Sequence, residues 1–165
     1  MSCDCANNFD VRLARESEYK TFKRVLNIGR HPAFIGRDTF AHNSRNGGAL
    51  IYEFEGQPVG VSLINPHYGI LLALNVVPEH RSHGLGRAIM NFLIPNFARV
   101  IEDKVGWFEK QGYRRIGKLK QGQTLRTQIM AREALFHLAG KLQRLRKNRG
   151  GQASAQKHKH GRREA

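Results

Sequence analysis

Hydrophobic and polar positions alternate from Phe9 to Arg15, the pattern of a strand with one face buried. Ser17 can then cap a helix running to about Leu26, in which Phe22, Val25 and Leu26 share one face. The stretch from Asn27 to Asn46 shows neither period. It is rich in His, Arg, Asn and Gly, is punctuated by Pro32 and Gly36, and is expected to form an irregular loop of the kind that holds ligands. Three strands follow in quick succession. Ala49 to Phe54, Pro58 to Ile64 and Ile70 to Val77 are joined by the turns Glu55-Gly56-Gln57 and Asn65-Pro66-His67-Tyr68-Gly69, which reads as an antiparallel meander.

After Val77 the pattern changes. A loop with Gly84 and Gly86 leads into a helix from about Arg87 to Leu93, then a strand near Phe97 to Ile101 and a helix around Asp103 to Gln111 that Gly112 ends. Tyr113 to Lys118 and Thr124 to Met130 read as a final pair of strands. The order predicts a mixed α/β domain around a single sheet, without internal repeats.

A chain of 165 residues suits one compact domain with an appendage. Its longest apolar runs, Ile70 to Leu74 and Val59 to Ile64, fall far short of the roughly 18 to 20 residues that a membrane-spanning helix needs, so no membrane span is expected. Met1 to Asn8 has neither a basic start nor an apolar stretch, which argues against a secretory leader. Cys3 and Cys5 are too few and too close for a disulfide framework. With no other cysteine and no His pair nearby, they read as ordinary thiols rather than metal ligands, and a cytoplasmic location is expected.

Charge divides the chain into a body, residues 1–138, and a basic end, residues 139–165. Of a formal charge of +15, about half sits in that end, where Lys141, Arg144, Arg146, Lys147 and Arg149 are followed by a Gly/Gln/Ser stretch and a second basic run from Lys157 to Arg163. Leu135, Leu138, Ala139, Leu142 and Leu145 recur at helical spacing, which makes a basic amphipathic helix; beyond Gly150 disorder is expected. The helix can dock its stripe on the body, or its cations can displace counterions from nucleic acid; a membrane-surface helix is a third reading.

One segment carries chemistry. Val77-Pro78-Glu79-His80-Arg81-Ser82-His83-Gly84-Leu85-Gly86-Arg87 runs from an apolar strand into an apolar-striped helix. Glycines at 84 and 86 let a ligand approach the backbone, the amides that open the helix suit a phosphate, and Arg81 and Arg87 add positive charge. A Walker loop would need Gly-Lys-Ser/Thr, and a Rossmann fingerprint would need a third glycine within an early βαβ unit; neither fits.

These residues resemble the GNAT family of acyl-CoA-dependent N-acyltransferases. Val76-Val77-Pro78 and Arg81-Ser82-His83-Gly84-Leu85-Gly86 match its central motif of Arg/Gln-x-x-Gly-x-Gly/Ala after a strand ending Val-x-Pro, and Trp107-Phe108-Glu109-Lys110-Gln111-Gly112-Tyr113 is similar to its aromatic helix before Gly-Phe/Tyr. The resemblance spans about residues 9 to 132 and implies a splayed, mostly antiparallel central sheet flanked by helices. The segment Leu72 to Val77 would part from the next strand, and the pantetheine arm of acetyl-CoA, or another acyl-CoA, would bond to main-chain groups near Leu74, Val76 and Val77. The loop of Arg81, Ser82, His83, Gly84, Leu85, Gly86 and Arg87 would grip the pyrophosphate, and an acceptor amine would attack directly.

Two departures stand out. Phe108 occupies a position where the family commonly has a Tyr to protonate the leaving thiolate, so water, Tyr113 or Tyr68 would have to replace it, although Trp107 and Tyr113 also read as packing residues. The span from Gly86 to the aromatic pair is also short for a full helix and strand. Candidate catalytic groups are Glu53, Glu55, His67 and Tyr68, and Asn75 lies in the cofactor strand where some relatives carry an acid. On the acceptor side the resemblance places His31, Arg37, Asp38, His42 and Arg45, which suit a polar or anionic acceptor or simply keep a long loop soluble.

The expected activity is acyl transfer to a primary amine. A cationic chain disfavours polyamines and basic peptides and favours an acceptor associated with nucleic acid, such as an aminoacyl group on tRNA. The alternative is a non-catalytic nucleic-acid-binding module that retains the fold.

Overall fold

A computed structural model describes residues 9–28, 35–121 and 126–135, with only the backbone described for residue 82 and residues 118–121. The elements run β1 (Asp10–Leu13), α1 (Tyr19–Leu26), α2 (Arg37–Arg45), β2 (Ala49–Phe54), β3 (Gln57–Asn65), β4 (Ile70–Val76), α3 (Leu85–Leu93), β5 (Phe97–Ile101), α4 (Val105–Lys110), β6 (Tyr113–Gln121) and β7 (Arg126–Arg132). Single 3₁₀ turns occupy Glu16–Glu18, Pro78–His83 and Glu102–Lys104. Met1–Ala131 forms one compact unit and Arg132–Ala165 a second, in which the described residues are the end of β7 and a helical turn over 133–135.

One sheet orders the strands β1-β2-β3-β4-β5-β7-β6. The meander β2-β3-β4 and the pairs β1–β2 and β5–β7 are antiparallel, while β4 and β5 run parallel. That parallel pair is brief: Ile70 faces Phe97, Leu71 faces Ala98, and no further residues pair. The reason lies in β4 itself. Ala73 sits opposite Leu63 but Leu71 sits opposite Ile64, so Leu72 is an extra residue on β4. Such a bulge bends its strand and sharpens the local twist, which swings the rest of β4 away from β5. The sheet therefore forks beyond Leu71, as the sequence led one to expect.

The fork divides the core. Phe22, Val25 and Leu26 of α1 and Phe40 of α2 join Ile51, Val61 and Leu63 in one buried cluster, with Leu85 and Ile89 of α3. Leu71, Met90, Ala98, Val100, Val105, Phe108, Tyr113 and Met130 make a second cluster, and the half-buried Leu74 and Leu93 pack against both. Arg12 ties the first strands together, bonding Glu18 at 2.8 Å and Glu53 at 2.9 Å.

Two expectations are corrected. The stretch 27–46 is not wholly irregular: α2 lies within it, held by Phe40, whose ring stacks on Phe22 at 4.8 Å and Tyr19 at 5.4 Å. Only Phe40 and Asn43 of this helix are buried, and one of them is polar, so no apolar period announces it. The short span after Gly86 does hold both elements. Helix α3 starts at Leu85 rather than Arg87, and the Ile94 backbone (φ 43°) folds a tight connection through Pro95 and Asn96 into β5.

Candidate functional site

The open edge of β4 follows from its pairing on the other side. Val77 N–H donates to Val59 O at 2.8 Å, and successive peptide groups of a strand point in opposite directions, so the Val76 carbonyl points into the fork. By the same alternation the N–H and C=O of Leu74 and Val76 lie along the free edge. Apart from the Val76 carbonyl, which accepts from Arg81, these are donors and acceptors that no neighbouring strand pairs, of the kind that an extended ligand can use.

The mouth of the fork is the start of α3. Gly84 adopts φ +78°, a left-handed conformation that costs a residue with a side chain about 1 kcal/mol, and serves as the N-cap. The first ring of the helix closes from Ala88 N–H to Gly84 O at 3.0 Å, which leaves the amides of Leu85, Gly86 and Arg87 at the open end. The Leu85 side chain is buried in the core, so it offers a ligand only its backbone. A Cβ built on Gly84 meets nothing within 4 Å, and one on Gly86 would touch Trp107 at an ordinary 3.5 Å. Packing within the protein therefore does not demand a bare Gly86. A cradle of backbone amides with the Gly84 face clear fits a diphosphate.

Arg81 sits elsewhere than a phosphate ligand would. Its Nε donates to Val76 O at 2.8 Å, and Nη2 reaches Ile28 O at 3.2 Å and Asn75 Oδ1 at 3.4 Å. Asn75 in turn donates through Nδ2 to Val25 O at 2.8 Å and Ile28 O at 2.9 Å. The C-terminal carbonyls of α1 are thus capped by side chains from β4 and the turn after it. Arg87 and His83 are exposed, and the His83 ring lies 6.2 Å from that of His80, which packs against Phe54.

Helix α4 forms the other wall. Trp107 is half-buried and lies against the first turn of α3 at Gly86. Phe108 is buried in the second core cluster, edge-on to Trp107 at 5.0 Å and to Tyr113 at 5.7 Å. Tyr113 is 4% exposed and donates its hydroxyl to Pro95 O, so it is a packing residue and not a substitute acid.

The sequence model of the acetyltransferase (GNAT) family matches residues 13–120. The chain belongs to that family. Its members are N-acetyltransferases, and an acyl-CoA is the cosubstrate. No curated protein sequence matches the chain. Among solved structures, Ard1 from Thermoplasma volcanium superposes with a TM-score of 0.63 at 14% identity, covering 76% of this chain and 97% of its own. The ribosomal-protein-S18-alanine N-acetyltransferase of Escherichia coli gives 0.60 at 16% identity, covering 75% and 92%. Arabidopsis thaliana Naa50, solved with the bisubstrate analogue CoA-Ac-MVNAL, gives 0.60 at 14%, covering 76% and 98%. At such identities the likeness is one of fold.

Within that GNAT frame the expected site residues separate. Leu74, Val76, Gly84, Leu85, Gly86 and Arg87 gather at the fork; Val77 turns its N–H away to β3, and Ser82 is described only as backbone in the 3₁₀ turn. The four catalytic candidates are not brought together. Glu53 is on β2, bound to Arg12, and Glu55 is an exposed turn residue with φ 51°. His67 and Tyr68 meet edge to face, ring centres 4.6 Å apart, in the turn before β4, on the closed side of the fork. Arg37, Asp38, His42 and Arg45 ride on α2, where Arg45 bonds Glu16 at 3.0 Å. His31 and the tail residues Lys141, Arg144, Arg146, Lys147 and Arg149 lie outside the described residues. Sequence reasoning missed the capping role of Asn75; its signal was a lone carboxamide in an otherwise apolar strand.

Proposed function

We propose that this GNAT enzyme transfers an acetyl group from acetyl-CoA to a primary amine on a nucleic-acid-associated acceptor. The observation that carries the cofactor half is the fork: pairing of β4 with β5 stops at Leu71, and the amide-lined start of α3 stands at its mouth. The amides of Leu85, Gly86 and Arg87 bind the diphosphate, and the free edge at Leu74 and Val76 orients the arm. Bound acyl-CoA supplies an activated thioester. An edge N–H of β4 is placed to polarise the thioester oxygen, while the packed walls of α3 and α4 keep water out. As the amine nitrogen bonds to the carbonyl carbon, the carbon–sulfur bond breaks and the thiolate leaves, and the proton shed by the nitrogen passes through water to the thiolate. Phe108 offers it no proton, but a thiol that ionises near about 8.5 can depart unaided.

The acceptor half rests on charge. β5, β6 and β7 carry Arg99, Arg114, Arg115, Lys118, Lys120, Arg126 and Arg132 without one acid, and α1 carries Lys20, Lys23 and Arg24 likewise. Arg115 and Arg126 face Glu109 and Glu102, whereas Arg99 is exposed beside the Thr127 hydroxyl. Elements of one sign steer anions in and repel cationic amines. The cytoplasm is the compartment where such acceptors and acetyl-CoA meet, and the basic tail would add phosphate contacts.

The test is thiol release from acetyl-CoA with aminoacyl-tRNA, a basic peptide and spermidine as acceptors. Turnover with the first alone supports the whole reading; turnover only with the cationic amines overturns the acceptor half. Trp107, the single tryptophan, reports cofactor binding by its fluorescence. No change on adding CoA, with no thiol release, would overturn both halves.

A further inference from the structure

The motif that opens the cofactor loop begins with an arginine, and charge alone would assign it to the diphosphate. Its bonds point elsewhere. All three recorded partners of Arg81 are neutral oxygens: the Val76 carbonyl at the free edge of β4, the Ile28 carbonyl just past α1, and the Asn75 carboxamide between them. Asn75 doubles the link through Val25 O and Ile28 O. The C-cap of α1 is Asn27 (φ −91°), whose N–H bonds Lys23 O, and Ile28 N–H bonds Val25 O at 3.3 Å; the carbonyls of Val25 and Ile28 take further donors from the cofactor strand and the turn after it. A cation at a helix C-terminus is also favoured by the helix dipole.

We infer that Arg81 and Asn75 form a clamp that fixes the end of α1, at Val25 and Ile28, to the cofactor strand, and that Arg81 is a positioning residue and not a diphosphate ligand. This deepens the proposed function and rests on its placement of cofactor along β4. Because Arg81 already occupies the Val76 carbonyl, an arm laid on that edge pairs with Leu74 and with the Val76 N–H. Anything that stiffens β4 there is felt at Ile28 through two side chains.

The experiment combines hydrogen exchange with CoA titration followed by Trp107 fluorescence, on wild type, Arg81→Ala, Arg81→Lys and Asn75→Ala. Lysine keeps the charge but lacks the fork that spans two carbonyls. In the wild type, saturating CoA slows exchange over residues 26–28, at the end of α1. All three variants exchange about tenfold or more faster there, with β2 and β3 amides unchanged, and lose the CoA-dependent slowing. CoA affinity in Arg81→Ala and Arg81→Lys stays within about threefold of wild type, with the same salt dependence. Should Arg81→Ala not fold, Arg81→Lys and Asn75→Ala decide. Loss of affinity by about twentyfold or more in Arg81→Ala, restored in Arg81→Lys, would make Arg81 a charge ligand and overturn the clamp. So would unchanged exchange over 26–28 in the variants. If the wild type binds no CoA, the cofactor reading fails, while faster exchange over 26–28 in the variants supports the clamp and unchanged exchange there overturns it.

Discussion

Gly86→Ala separates what the fold needs from what the ligand needs. Gly86 is the second residue of α3 and lies in ordinary helical backbone, so alanine is not strained there. The new methyl would meet Trp107 at 3.5 and 3.9 Å, normal van der Waals contact. Alanine also restricts the unfolded chain and favours the helix, which together stabilise by about 0.5 to 1 kcal/mol. For a chain of this size that is a rise in Tm of roughly 1 to 4 °C. Binding should move the other way. The methyl narrows the gap between the first turn of α3 and Trp107, and pushing the anion out by even part of a bond length weakens charge-assisted hydrogen bonds worth about 1.5 to 3 kcal/mol each. An affinity loss of about tenfold or more is expected. Thermal melts and Trp107 fluorescence titrations with CoA read the two signs on one sample. A variant that is more stable and still binds CoA as wild type does would refute the reasoning, because the glycine would then serve no ligand.

Gly84→Asp should abolish CoA binding by adding bulk and negative charge at the N-cap, where nothing within 4 Å would push the side chain aside; calorimetry showing undiminished affinity would contradict the site. Tyr52, whose hydroxyl pairs with Ser62 Oγ at 2.9 Å, is pushed by burial up to about 12 from its ordinary 10. The unfolded chain therefore ionises first, and this group's contribution is complete below about pH 10 and fades as pH rises towards 12. Tyr52→Phe should cost about 1 to 2 kcal/mol near neutrality, and urea melts should show its deficit against wild type shrinking by about 1 kcal/mol near pH 11; a constant deficit would refute the assignment. Truncation after Leu138 should lower affinity for RNA and flatten its salt dependence, and an unchanged slope would exclude the tail from phosphate contact.

What could be read from the sequence follows physical scale. Strands β2, β3 and β5 and the motif from Arg81 to Gly86 announce themselves, because apolar runs, turn residues and glycine spacing are local. Helix α2 does not, since Phe40 alone supplies its apolar anchor and Asn43 is buried with its Nδ2 donating to Thr39 O at 2.8 Å. The site divides in the same way. Backbone groups at Leu74, Val76 and Leu85 to Arg87 were legible because secondary structure fixes where they point. Side chains were less so: charge alone does not tell which oxygens Arg81 bonds, and for Tyr113, read as a packing residue that could also serve as an acid, only the bond of its hydroxyl decides for packing. Their partners, Ile28 and Pro95, are far away in sequence or hidden in a connection.

One inserted residue carries much of the design. Without Leu72, β4 would continue in register beside β5, its free edge would be paired, and no cofactor strand would exist. The bulge also sets which residues face which helix. Beyond it Asn75 turns towards α1, where it caps Val25 and Ile28, while Leu74 keeps its side chain against both core clusters. Closing the ladder would gain several strand hydrogen bonds at about 1 kcal/mol each. The fold forgoes them, and what holds the fork open instead is packing: Leu85 and Ile89 on one side, Met90 and Phe108 on the other. Binding an extended arm restores the missing ladder, so the chain's most unstable edge and its proposed cofactor site are the same stretch of β4.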